Sequence, residues 1–230
     1  MNGLIHSSLY FGMLVSVGAY MLGVWLKKKT GWAILNPLLV AIIVVIAFLS
    51  VLHIEYKEYN RGAVYLGYFL TPATVCLAIP LYKQLELLRQ HLIAVASAIV
   101  AGVAGSVGSI YVMCRFFQLE HTHYVTLLPK SITTAIGMGV SEEAGGIVTL
   151  TVISIIITGI LGNIIADWLF QIFKIEEPIA KGLALGTAAH AIGTAKALEL
   201  GEIEGAMSSL SIAVAGLLTV VVVPLMSGLI

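Results

Sequence analysis

A chain of 230 residues, 59% hydrophobic and only 10% charged, with a mean hydropathy of +1.02, carries more apolar surface than a soluble fold can bury; soluble domains are about a quarter charged. Twelve Lys and Arg balance twelve Asp and Glu, so the formal net charge is zero, which leaves no basic footprint for nucleic acid. Cys76 and Cys114 sit in apolar runs without zinc-type spacing and read as small buried hydrophobes.

A bilayer core about 30 Å thick takes roughly 20 apolar residues per helical crossing, so this length allows about seven or eight. The expected fold class is an all-α polytopic membrane protein forming one transmembrane domain over 1–230, with a first half at 1–120 and a second at 124–230. The first helix is expected at 5–27. Lys27, Lys28 and Lys29 behind it mark the cytoplasmic side and put the N-terminus outside. A second helix starts at Asn36-Pro37, where a missing N–H is harmless, and runs to Ile54. Glu55 to Arg61 reads as an outer loop. From Gly62 to Leu81 the apolar run is interrupted by Thr71-Pro72-Ala73-Thr74 and by Pro80, which predicts a broken helix. Lys83, Glu86, Arg89 and His91 form an inner connection, and 92–114 is a Gly/Ala/Ser-rich helix suited to close packing.

The second half opens on Leu127 to Thr134, too polar for lipid, and reaches Ser141-Glu142-Glu143-Ala144-Gly145-Gly146; this stretch predicts a re-entrant or discontinuous segment. Residues 147–173 form a long apolar helix with Asn163 and Asp167 near its end, at the interface, before the charged loop Lys174 to Lys181, which reads as cytoplasmic. Gly182 to Lys196 occupies the place of a span but carries glycines, threonines, His190 and Lys196, and few lipid-facing helices tolerate that. After the acidic turn Gly201 to Gly205, a last helix at 205–229 would end inside. Broken segment, charged link and closing helix recur, which suggests an inverted repeat with cores 36–114 and 147–229, as in elevator-type or similar transporters.

Backbone groups in a bilayer must be paired internally, so breaks survive only where they face protein or a wet cavity. The breaks therefore nominate a binding site: Thr71 and Thr74, then Ser131, Thr133 and Thr134, then Gly186, Thr187 and Thr194. Half-helix N-termini there favour an anion, and Lys130 or His190 would supply charge, suiting a small carboxylate. Each hydroxyl has a plainer reading, bonding back to its own helix, and His190 could equally tie helices together. Lys130 reads either as a site cation or as a snorkelling side chain, and Lys196 as a snorkelling anchor. His190, Glu142 and Glu143 are the candidate coupling or gating groups, although the two glutamates read first as wet loop residues. His121-Thr122-His123 lacks a third metal ligand. With no nucleophile elbow, zinc-protease motif or phosphate loop, no enzyme, cofactor or metal is expected.

Leu128-Pro129-Lys130-Ser131-Ile132-Thr133-Thr134-Ala135-Ile136, Gly145-Gly146 and the run from Lys181 through Thr187-Ala188-Ala189-His190-Ala191 to Ala197 resemble the signature of the LrgB/CidB family, as do Leu35-Asn36-Pro37-Leu38-Leu39 and Ala73 to Lys83. Ser131-Ile132-Thr133 and Thr187 to Ala191 look nearer the CidB-like branch. The resemblance spans essentially the whole chain. It implies a multi-pass protein of the bacterial inner membrane, acting with a small LrgA/CidA-type membrane partner in the control of murein hydrolases and lysis. It equally implies, through plastid and other relatives, transport of glycolate, glycerate or pyruvate. The expected partners are thus a small carboxylate anion, the lipid bilayer, an LrgA/CidA-type protein and a second copy in a homodimer. Transport by alternating access is the leading expectation, and holin- or antiholin-like regulation the alternative.

Overall fold

The computed structural model describes residues 10–32 and 34–230, with the backbone alone at 74 and 81. Among the described residues every regular element is a helix, in keeping with the all-α expectation. The chain gathers into two compact units, Met1–Cys76 and Leu77–Ile230.

The first unit holds α1 (Phe11–Thr30), α2 (Pro37–Val51), α3 (Tyr56–Gly67) and α4 (Leu70–Cys76). Helix α1 stops behind its lysines because Gly31, at φ 70°, turns its N–H back to Lys27 O at 2.8 Å, the left-handed cap that glycine adopts without a Cβ clash. Asn36 starts α2, its Oδ1 accepting from the N–H groups of Leu38 and Leu39 at 2.9 and 3.3 Å. Glu55 to Arg61, expected as a loop, instead lies almost wholly in α3. The physical reason is Tyr59: its hydroxyl meets Ser16 Oγ at 2.6 Å and its carbonyl lies against Gly12, so one face packs on α1 while the charged residues take the other.

The second unit contains α5 (Ala78–Lys83), α6 (Leu85–Gln90), α7 (Leu92–Phe116), α8 (His121–Leu127), α9 (Thr134–Glu143), α10 (Val148–Ile172), α11 (Pro178–Leu200) and α12 (Glu202–Ser227). Three of these, α7, α10 and α12, have 25, 25 and 26 residues and are apolar enough to cross a membrane, as is the stretch Tyr56–Pro80; at about 1.5 Å per residue, 25 residues reach ~38 Å. Helix α7 buries a stripe of Val95, Ile99, Val103, Val107, Ile110 and Cys114, recurring at the three- and four-residue spacing of one helix face.

Between the long helices the chain makes two re-entrant hairpins. The first is α8 and α9, joined at 128–133. Its arms come back together at the start of α10: Thr151 Oγ1 donates to Thr126 O at 2.9 Å, Ser141 Oγ is 2.6 Å from Thr151 Oγ1, and Ile147 N–H donates to Thr126 Oγ1 at 2.8 Å. The second is α11, which breaks at Ala189 (φ −127°, ψ 15°) and His190 (φ 42°, ψ −136°). Beyond that break the outer arm folds back on the inner one, with Gly193 seated against Leu185 O. It then climbs α10 in the same direction, Ile192 beside Asn163 and Lys196 beside Asp167. Each arm of α11 is near 10 residues, or ~15 Å, about half a bilayer core.

The break expected within Gly186 to Thr194 is present at Ala189–His190; what changes is that the segment, expected in the place of a span, turns back instead of crossing. Gly182 packs on Glu204 and Met207, and Leu198 packs on Gly205, so both ends of α11 share one end of the bundle with the start of α12. Helix α12 finishes at the opposite end, where Tyr124 donates to Met226 O at 3.1 Å and His121 Nδ1 lies 2.8 Å from Ile230 O. The Lys174 loop and the C-terminus therefore lie at opposite ends of the second unit, because α11 turns back on itself. In a background with Cys76 and Cys114 replaced, single cysteines at the exposed positions Glu176 and Glu202 should react with a membrane-impermeant thiol reagent from one face, and a cysteine at Glu143 from the other. Labelling of positions 202 and 143 from the same face would refute the hairpin.

Candidate functional site

The two hairpins enter the second unit from opposite ends, and their tips end beside one cleft of about 630 Å³. Its walls are α7 (Ala98, Gly102, Ser106), the first tip (Lys130, Ser131), α10 (Thr158, Leu161, Gly162, Ile165) and the inner arm of α11 (Ala180, Leu183, Ala184, Thr187, Ala188). Among the described residues Lys130 is the one charged side chain in that lining. Its Nζ donates to Ser131 Oγ at 3.0 Å and lies 3.5 Å from Ser106 Oγ, while Ser106 donates to Ser131 at 2.9 Å. Among the described residues no carboxylate pairs with it. Just beyond, α9 begins at Thr134 with Thr133 as an N-cap whose side chain makes no cap bond, so a helix dipole adds positive potential at the same tip. An ammonium, two hydroxyls and a helix start thus bring positive potential and hydrogen-bond donors into a mostly apolar cleft.

Thr187 lines the cleft, but its hydroxyl donates to Leu183 O at 2.7 Å, the back-bond of the plainer reading. Thr133 and Thr134 are half-buried beside the tip and do not line the cleft. Gly186 faces away, where a Cβ would strike Ser211 Oγ and Ser208 O, so it serves contact with α12. His190 is 3% exposed and donates from Nε2 to Ile155 O at 2.9 Å. It ties α11 to α10 as the alternative reading described. Thr194 donates to His190 O at 3.1 Å and meets Ser208 Oγ at 2.7 Å. Glu142 and Glu143 are exposed at the end of α9. Thr71 is an exposed residue of α4 in the first unit; the side chain of Thr74 lies outside the described residues.

A broken helix at a non-glycine residue with φ 42° costs about 1–3 kcal/mol and needs surrounding contacts to hold it. Helix α10 supplies them. At Gly159 a Cβ would come within 2.9 Å of His190 Nε2, and at Gly162 within 2.6 Å of Ala189, so two glycines admit the break. Asn163 Nδ2 donates to Ile192 O at 3.1 Å, and Lys196 Nζ meets Asp167 Oδ2 at 2.6 Å. Lys196 is therefore an ion-pair partner and no snorkelling anchor, and Asn163 and Asp167 face α11. Ser106 and Thr158, and the pairing of Lys196 with Asp167, lie outside the set the sequence nominates. One signal was available: a carboxylate and an ammonium in consecutive apolar segments are expected to pair.

The model of the LrgB-like family matches residues 16–229. Similar proteins include one from Bacillus mycoides (strain KBAB4), 41% identical over 217 residues, and one from Bacillus subtilis (strain 168), 39% identical over 216 residues. A third, from Bacillus cereus (strain B4264), is 40% identical over 217 residues. Each alignment covers 94% of both chains, and each relative is named antiholin-like protein LrgB. These names lend no support to the finer expectation of a CidB-like branch. No solved structure matches the chain. Gly186→Ala should lower the stability of the detergent-solubilised protein by about 1–3 kcal/mol, the usual result of overpacking, whereas Gly105→Ala, with nothing within 4 Å of a new Cβ, should be neutral or slightly stabilising in thermal unfolding.

Proposed function

Because the chain belongs to the LrgB-like family, we propose that it is an antiholin-like regulator of murein hydrolase activity and lysis in a bacterial cell membrane, acting with a small LrgA/CidA-type membrane protein. The observation that supports this reading is the name shared by relatives at 39–41% identity over 94% of their length. Physical chemistry is in line with restraint rather than hole formation: among the described residues no buried side-chain nitrogen or oxygen lacks a partner, so the polar segments are satisfied within the protein. A strain lacking the chain should show raised hydrolase activity in zymograms and faster lysis after membrane-potential collapse, both reversed by re-expression. Unaltered hydrolase activity and lysis would sink the proposal.

The cleft favours a second, compatible reading at the molecular level. In it the chain is a secondary carrier of a small monocarboxylate of the pyruvate, glycolate or glycerate class, and its effect on lysis follows from moving that anion. Lys130, between Ser106 and Ser131, binds the carboxylate as a desolvated cation that no carboxylate among the described residues pairs with. The apolar walls of α10 and α11 receive the carbon skeleton, and two hairpins entering from opposite ends offer a way to open the cleft to either side. Charge-assisted hydrogen bonds contribute about 1.5–3 kcal/mol, so Lys130→Gln should reduce uptake of labelled pyruvate or glycolate into proteoliposomes by about ten- to a hundredfold. Absence of uptake by the folded wild-type protein under every imposed proton gradient would eliminate the carrier and leave the regulator.

A further inference from the structure

The two hairpins are related in sequence as well as in shape. Laying Ser131 on Thr187 puts Ala135-Ile136-Gly137 on Ala191-Ile192-Gly193, Glu143 on Glu199, Gly145 on Gly201 and Ile147 on Ile203. The contacts repeat in the same register. A Cβ on Gly137 would meet Pro129 O at 3.5 Å, and one on Gly193 would strike the carbonyl of Leu185, the counterpart of Pro129. Thr126 and Thr151 are bonded, and their counterparts Gly182 and Met207 abut. Each hairpin also leans on the long helix that follows the other: a Cβ on Gly216 of α12 would lie 3.0 Å from Ile136, and one on Gly159 of α10 would lie 2.7 Å from Ile192.

Residues 121–172 and 178–227 thus form two copies of one motif, hairpin then long helix, entering from opposite ends. Both lie inside the second unit, at limits different from the pattern-based cores 36–114 and 147–229. The equivalence makes the differences between the copies informative. In the first, the clasp between the hairpin base and its long helix is made of Thr126, Ser141 and Thr151, which are 1%, 0% and 0% exposed and bonded to one another. In the second, the counterparts are Gly182, Ala197 and Met207, which carry no hydroxyl. Instead its outer arm is held to α10 by Lys196 and Asp167, the latter 46% exposed; their counterparts in the first copy are Val140 and Val223. The outer arm also bonds α12 through Thr194 and Ser208, and the break itself is held on α10 by His190 to Ile155 O and Asn163 to Ile192 O, so a swing away from α10 would turn about the break and part the far end of the arm at Lys196–Asp167.

We propose that the α11 hairpin is the moving gate of the cleft, pivoting at Ala189–His190 with the Asp167–Lys196 ion pair as its latch, and that the α8–α9 hairpin, which carries Lys130, is the fixed half of the site. A dry network of hydroxyl bonds resists opening because each broken bond strands a buried polar group. A half-wet ion pair is weakly stabilising and screened by salt, and its two charges hydrate once apart. Pivoting would displace the inner arm that lines the cleft with Ala184, Thr187 and Ala188, and would relieve the backbone at His190.

The inference rests on the cleft being the working site of the carrier reading, yet its test needs no ligand. Hydrogen exchange of the full-length wild-type protein in lipid nanodiscs, read by mass spectrometry, should be faster in peptides from 190–200 than in those from 121–143, and raising salt should quicken only the former. Asp167→Asn and Lys196→Gln should each speed exchange over 190–200 by about two- to fivefold, with 121–143 unchanged, and the charge swap Asp167→Lys with Lys196→Asp should restore the wild-type rate. Equal exchange and equal salt response of the two hairpins in the wild type would overturn the proposal even if a variant failed to fold. Failed exchange would remove the gate and failed uptake the carrier, so the two outcomes stay separate.

Discussion

Every backbone N–H and C=O that enters an apolar medium needs a partner, and the second unit is organised around meeting that requirement at places where the helix stops. Two hairpin tips, at 128–133 and at Ala189–His190, carry interrupted ladders into the middle of the bundle. They are tolerable because long helices on either side press against them closely enough to exclude lipid. Glycines decide how close that approach is. Gly159 and Gly162 of α10 admit His190 and Ala189, and Gly102 of α7 admits Thr187, whose Oγ1 would lie 2.8 Å from a Cβ there. Small residues of this kind are what membrane helices use to bring backbones together.

The same constraint explains where polarity ends up. Hydroxyls in the second unit are mostly consumed by the fold: Thr187 on Leu183, Ser209 on Gly205, Ser211 on Ser208, Thr219 on Ala215. Such back-bonds close a donor locally and leave little for a ligand. Against that background Lys130 stands apart. Its ammonium is held by two serine hydroxyls and, among the described residues, is paired with no carboxylate; a buried cation of that kind attracts an anion. Lys196, by contrast, is paired with Asp167.

Inverted hairpins give the cleft its particular character. A single broken helix would offer a site reachable from one side only. Two, entering from opposite ends and meeting across α7, place charge and hydroxyls on one tip and a small-residue wall on the other arm. That division is compatible with both proposed functions, the regulator and the carrier.

Composition alone determined that this is a helical membrane protein, and the local pattern located the breaks, because charge, proline and clustered hydroxyls are legible wherever lipid would reject them. Leu127 to Thr134 and Gly182 to Lys196 stand out on that ground in the bare sequence. It could not show that the second of these turns back rather than crossing, since reversal depends on two dihedral pairs at Ala189 and His190 that no residue type there announces. Nor could it separate Lys130, Ser131 and Thr187, which share the cleft, from Gly186, His190 and Thr194, which face helices α10 and α12. One turn of helix, about 100° per residue, sends neighbouring side chains to different partners. Only the packing of α7, α10 and α12 around the hairpins decides which of them meets a ligand and which meets protein.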